Sequence, residues 1–124
     1  NKNMETPDYI IDYEAFQNNC KKTEVSGEEV GEMIMKFAGY YARYNMRMAD
    51  AIKNFSAVKA GFQSGIDPMT AKAISSAKAE TMADDTPEAA TYELARIHIN
   101  NIEQYINALK ALQKGILQEY SHSS

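Results

Sequence analysis

Few side chains in this sequence belong to the types that do chemistry, and their spacing argues against most reactions. His98 has no second histidine four residues away, and position 95, where a Glu-x-x-His ligand pair would need its carboxylate, is Ala95. That removes the helical zinc-protease motif and the ligand pairs of di-iron bundles. His122 lies among the last residues, and Cys20, the single cysteine, carries no sequence sign of a paired base. Cys20 therefore reads as a buried or idle thiol. Asp84-Asp85 lacks the spaced oxygen ligands of a calcium loop and reads as a solvated helix cap. The glycines at 31, 39, 61 and 115 are isolated, so no phosphate-cradling loop exists. The sequence predicts no metal site, no cofactor and no enzymatic activity.

What remains is the distribution of charge. Residues 36–78 hold seven bases (Lys36, Arg43, Arg47, Lys53, Lys59, Lys72, Lys78) and two acids (Asp50, Asp67). The first 35 residues hold three bases and eight acids, and residues 79–124 hold three bases and seven acids. Lys36, Arg43 and Arg47 fall within about 40° of one another at 100° per helical residue, next to Tyr40. Such a row can track a phosphate backbone while a base stacks on the ring, which makes Lys36, Tyr40, Arg43, Arg47, Lys53 and Lys59 the candidate nucleic-acid contacts. The competing reading is a solvated helix flank whose Tyr40 belongs to the core.

The elements that must position these residues are helical. Ser26-Gly27-Glu28-Glu29 has the form of a capping box. Apolar residues then recur at Val30, Met33, Phe37, Tyr40, Tyr44, Ala51, Phe55, Val58 and Phe62, with Met48 and Ile52 beside them. Steps of three and four define one stripe of an amphipathic helix over about 27–63, which at ~1.5 Å per residue is ~55 Å long and implies an elongated hairpin. Ser64-Gly65 is expected to end it with a left-handed cap. Asp67-Pro68 predicts a second helix over 68–83, with Asp67 as N-cap and Pro68 in the first helical position. Thr86-Pro87-Glu88 repeats that pattern and opens either a new helix over 87–120 or a kink in a continuous one. Before all this, Pro7 can open a short helix to about Asn19 with Tyr9, Ile10, Tyr13 and Phe16 on one side. A mobile arm or a partner-docking segment over 1–25 fits equally, and Ser121–Ser124 reads as a frayed tail.

The last helix carries Tyr92, Ile97, Ile99, Ile102, Tyr105, Ile106, Leu109, Leu112, Ile116 and Tyr120, a stripe too wide for one neighbour. Ile99, Ile102, Ile106 and Leu109 have the three-four-three spacing of a coiled-coil seam. A second neighbour is required, either the N-terminal segment or another chain, and a homo-oligomer contact through these four residues is the expectation. A monomeric three-helix bundle is the alternative.

Composition is consistent with this layout. The chain has 124 residues, 44% of them hydrophobic and 24% charged, with three prolines, six glycines and a net charge of −4. That fits one all-α domain and no polycation that coats nucleic acid or anionic membrane. No apolar run approaches the ~20 residues of a membrane span. The polar start, Asn1 to Glu5, has no secretory h-region, and one cysteine suits a reducing compartment, so cytoplasm is expected. Because residue 1 is not Met, removal of an upstream segment stays open.

In layout the chain resembles the UvsY-type phage recombination mediators. The resemblance covers about residues 30–116. It rests on a Tyr-rich long helix (Tyr40-Tyr41-x-x-Tyr44), the turn Phe62-Gln63-Ser64-Gly65, an Ala/Lys/Glu helix running through Ala83-Asp84-Asp85, and a last helix ending in Leu109-Lys110-Ala111-Leu112-Gln113-Lys114-Gly115. It implies a ring-like homo-oligomer that binds single-stranded DNA and helps load a recombinase, working in the host cytoplasm with a recombinase or single-strand-binding protein. The sequence departs from that family in its net acidity and in lacking a dense Lys/Arg cluster in the first long helix. A virion or secretion accessory acting only by protein–protein packing is the alternative. The helical hairpins of type VII secretion carry a Trp-x-Gly turn, and this chain has no tryptophan. An enzyme with scattered catalytic residues has no positive sign in the sequence.

Overall fold

Pro7 is the N-cap of the first helix, its carbonyl accepting from the N–H groups of Ile10 and Ile11 at 3.1 and 3.2 Å. The computed structural model describes residues 6–123, with side chains through Glu119. The reading of Asn1–Glu5 and the Tyr120 side chain lie outside the described residues. Helix α1 (Asp8–Lys22) has Asp8 in its first turn and Lys21 and Lys22 in its last, the polarity the helix dipole favours. It starts one residue later and runs three residues further than the sequence suggests. Thr23 closes it in extended backbone, its N–H donating to the Asn19 carbonyl at 3.0 Å.

Helix α2 (Gly27–Gln63) begins with the expected capping box: Glu29 N–H donates to Ser26 Oγ at 3.1 Å, and Ser26 N–H donates to Glu29 Oε1 at 3.2 Å. Its predicted stripe is the inward face, with Val30, Phe37, Tyr40, Tyr44 and Ala51 buried, whereas Ile52 lies outside it, 45% exposed.

The stretch after α2 differs from the expectation. No glycine has a positive φ, so Gly65 is not a left-handed cap. Its role is close approach, because a Cβ there would meet Ile74 Cδ1 and the Phe62 carbonyl, both at 3.3 Å. No helix starts at Pro68 either. Strands β1 (Ile66–Asp67) and β2 (Lys72–Ala73) form a two-stranded antiparallel hairpin, pairing Ile66 with Ala73 and Asp67 with Lys72. Asp67 does make the contact an N-cap makes, its Oδ1 accepting from Met69 N–H at 2.9 Å. That contact here closes an Asx-type turn, because Ala71 adopts φ 57° and sends the chain back.

Helix α3 is therefore shorter, Ser76–Asp84, and is capped by Ser75 Oγ accepting from Lys78 N–H at 3.2 Å. Asp85 ends it, and α4 (Pro87–Ser123) is a new helix rather than a continuation. Thr86 is the hinge between the two: its hydroxyl donates to the Ala83 carbonyl and accepts from Ala89 N–H at 3.3 Å. Backbone helix persists to Ser123, through three of the four residues read as a tail. The architecture is all-α with one small hairpin.

The chain divides into two compact units, Asn1–Ala42 with Asn100–Ser124, and Arg43–Ile99. In the first, α1 packs on the start of α2 and the later part of α4. Tyr13 stacks on Tyr105 with centroids 4.0 Å apart and planes at 5°, and Tyr9, Phe37 and Tyr40 surround the pair edge-on or tilted. Tyr9, Val30, Phe37, Ile102 and Leu109 are fully buried. Each such side chain contributes about 1.5–3 kcal/mol by leaving water. The second unit combines the rest of α2, the hairpin, α3 and the start of α4. Its buried residues are mostly small: Ala51, Ala79, Ala83 and Ala95, with Tyr44 and Asp67. Phe55 and Tyr92 stack at 5.6 Å.

This packing divides the four residues expected at a subunit contact. Ile102 and Leu109 belong to the chain's own core, Ile106 and Ile99 are half-buried, and Ile99 lies in the other unit. Within the first unit the stripe of α4 finds its second neighbour in α1, with Tyr9 accepting from Asn101 Nδ2 at 3.3 Å. Residues 8–22 of the N-terminal segment thus form a packed helix rather than a mobile arm.

Candidate nucleic-acid interface

The six candidate contacts of α2 do not share one surface or one state. Lys36 and Tyr40 belong to the first unit, and Asp12 of α1 engages both. Tyr40 is 7% exposed and its hydroxyl donates to Asp12 Oδ2, to which Lys36 Nζ also pairs at 3.0 Å. The Tyr40 hydrogen bond, followed by Lys36, lowers the Asp12 carboxyl below its ordinary 3.8 against the opposing effect of burial. Tyr40 therefore belongs to the core and offers no face to a base. Lys36 neutralises a carboxylate of its own chain, although its side chain remains half-exposed.

Arg43, Arg47, Lys53 and Lys59 belong to the second unit. Arg43 and Arg47 are exposed and one helical turn apart, about 40° on the wheel, so they flank the same edge of the inward stripe. The Arg47 guanidinium lies over the ring of buried Tyr44, 4.5 Å from its centroid. That contact restrains the cation against the ring and reduces the entropy it has left to lose. Tyr44 in turn meets the His98 ring at 5.3 Å. Burial, and then the nearby Arg47 charge, lowers the His98 imidazole below its ordinary 6.5, so His98 is neutral at physiological pH.

Lys53 and Lys59 point elsewhere. At 100° per residue Lys53 falls on the back of α2 and Lys59 on the flank opposite the arginines. Lys59 Nζ pairs with Glu80 Oε1 of α3 at 3.6 Å, whereas Lys53 is exposed and makes no ion pair or hydrogen bond among the described residues. Lys78 is held by Asp67 at 2.6 Å. What the structure keeps of the candidate row as an exposed pair is Arg43 and Arg47.

Sequence reasoning missed the residues that organise these positions. Asp12 lies 28 residues before Tyr40, and Asp67 was read as a cap although its carboxylate also binds Lys78 across eleven residues. Asp67 stands as one of two acids among the seven bases of residues 36–78, which is a signal of a kind, whereas Asp12 lies between Asp8 and Glu14 and carries none. Among the described residues no group of three or more His, Cys, Asp or Glu could hold a metal ion, and no helix is long and apolar enough to cross a membrane.

No protein-family model, curated protein or solved structure matches the chain.

Proposed function

We propose that this protein is a non-enzymatic helical accessory of DNA recombination that self-associates and holds single-stranded DNA through the arginine pair of α2. The observation that carries this reading is Arg47 laid over Tyr44 with exposed Arg43 one turn away, two guanidinium groups at a spacing suited to consecutive phosphates, the first restrained by the ring. The unit around the pair is electrically balanced, seven bases against seven acids, while the other carries six against ten, so the local field rather than the total charge favours the strand. One pair is a weak site. An oligomer repeats it, and avidity then supplies the affinity. Exposed apolar side chains in each unit, Met35 in one, Met46 and Leu94 in the other, support self-association. The layout shared with UvsY-type mediators supports recombinase loading as the context.

The test is anisotropy of a labelled oligothymidine strand together with light scattering. Wild type is expected to bind at low salt and to release on salt addition. Arg43→Ala with Arg47→Ala should weaken binding and flatten the salt slope by about 1.4 per engaged subunit, at ~0.7 for each single-strand phosphate contact removed. Unchanged binding by that double variant, or no binding by wild type, gives first place to a second reading, a module that acts only by protein–protein packing. The inward engagement of Tyr40 and Lys36 by Asp12 favours that second reading.

A further inference from the structure

The first unit carries an apolar groove with an acidic rim, and the geometry points to a docking site for a basic amphipathic helix of a partner protein. Three depressions join end to end along α1, the α1–α2 connection and the later part of α4. The innermost, about 250 Å³, is bounded by Phe16, Cys20 and Leu112. It shares Cys20 and Leu112 with a second of about 520 Å³, which shares Val25 and Ile116 with a third of similar volume ending at Leu117. The floor thus runs along α4 from Ala108 to Leu117, about 14 Å at 1.5 Å per residue. That length takes two to three turns of a helix, whose anchors recur at i, i+3, i+4 and i+7. Leu112 and Leu117 are 39% and 59% exposed, so the chain leaves apolar surface there uncovered.

Charge selects the occupant. Glu24, Glu28, Glu29 and Glu119 line the two larger depressions, and Lys21 at the inner end is the only base on the three among the described residues. Lys110 and Lys114 line a separate depression that meets Leu117. An apolar floor under carboxylates accepts leucine-like anchors flanked by lysine or arginine and repels the acidic equivalent. The start of α2 is fixed against α4 at this groove: Gln113 Nε2 donates to the Gly27 carbonyl at 3.0 Å, and a Cβ on Gly27 would touch Leu117 at 3.4 Å. This site involves neither Arg43 nor Arg47, so it stands or falls apart from the DNA reading.

The full chain is titrated with two fluorescent model peptides of about five helical turns. Both carry the same leucine stripe, one with lysine flanks and one with glutamate flanks. The lysine peptide should bind and slow alkylation of Cys20, the single cysteine, which lies half-buried on the groove. Leu117→Glu, at an exposed position, should weaken it about tenfold or more. Glu24→Lys with Glu119→Lys, neither of which makes a hydrogen bond or ion pair among the described residues, should shift preference toward the glutamate peptide while helicity by circular dichroism stays unchanged. Equal affinity of wild type for both peptides, no binding of the lysine peptide, or binding that leaves Cys20 alkylation unslowed would overturn the proposal. So would loss of oligomeric mass in Leu117→Glu, since a second copy would then occupy the groove.

Discussion

The two units bury their cores by opposite means. The first fills its interior with rings, Tyr9, Tyr13, Phe37, Tyr40 and Tyr105, locked by edge and stacking contacts and completed by Ile102 and Leu109. The second draws its backbones together over Ala51, Ala79, Ala83 and Ala95 and ties the hairpin to α3 with the Asp67–Lys78 pair. Large rings make an interior in which removing atoms leaves a hole, whereas alanine contacts make one in which adding atoms has no room. The first unit should therefore be sensitive to truncation and the second to enlargement.

The largest expected effect tests that asymmetry directly. Phe37→Ala should lose about 3–5 kcal/mol of stability in equilibrium urea unfolding, the cost of an unfilled aromatic cavity. Ala83→Leu should lose about 1–3 kcal/mol by overpacking. Native-state hydrogen exchange would locate each loss, near Phe37 in one variant and in α3 in the other. Uniform loss in both variants would break the division into two differently built cores.

Next come the two carboxylates that clasp each unit. Asp12→Ala removes the acceptor of Tyr40 and the partner of Lys36, at about 1–2 kcal/mol, since Asp12 is part-exposed. Both Asp12 and Asp67 have pKa values lowered from 3.8, Asp12 chiefly by Tyr40 and Asp67 chiefly by Lys78 and then by the Met69 N–H. A lowered carboxyl pKa gives stability that is fully present above pH 3.8 and is lost as pH falls through the lower folded value. Stability measured from about pH 5 downward should fall, with part of the slope absent in Asp12→Asn and another part absent in Asp67→Asn. A slope unaltered in both would leave neither pair a role in acid unfolding.

The same contrast explains what could be read from residues alone. The 3.6-residue period of α2 from Val30 to Phe62 and the Ser26–Glu29 box are local signals, and both appear in the structure as expected. The wide stripe of α4 was legible too, with the N-terminal segment or another chain as its second neighbour, but the choice between them was not, because burial of Ile102 and Leu109 by a segment some ninety residues earlier depends on tertiary packing. Asp67-Pro68 misled because the Asp67-to-Met69 contact belongs equally to an N-cap and to an Asx turn. Only Ala71 at φ 57°, a conformation no alanine advertises, separates them. Of the candidate interface, the 40° arc of Lys36, Arg43 and Arg47 was visible. That Asp12 would claim Lys36 and Tyr40 was not, since ion pairing between α1 and α2 leaves no periodic trace.

Smaller effects should come from the caps, one in each unit. Ser26→Ala breaks the capping box of α2, and Thr86→Ala removes the hydroxyl that joins the end of α3 to the start of α4. Each should cost about 1 kcal/mol in thermal or urea unfolding. If Thr86→Ala instead has a far larger effect than Ser26→Ala, the α3–α4 break carries more of the second unit's stability than its alanine contacts do.

The smallest expected effect belongs to His98 and reads only the second unit. Its pKa is lowered from 6.5 first by burial and then by Arg47, with the Tyr44 ring against it. The unfolded chain then binds the proton more readily than the folded one. Stability is unaffected by His98 above pH 6.5 and declines as pH falls from 6.5 through the lower folded value. Melting temperature measured between about pH 7.5 and 5 should fall slightly, and His98→Gln should remove that slope without altering acid unfolding through Asp12. Arg47→Ala removes one cause and leaves the larger one, so it should reduce the slope without abolishing it. An unchanged slope in His98→Gln would mean that other groups set the near-neutral pH dependence and that the Arg47–Tyr44–His98 stack does not keep the imidazole neutral.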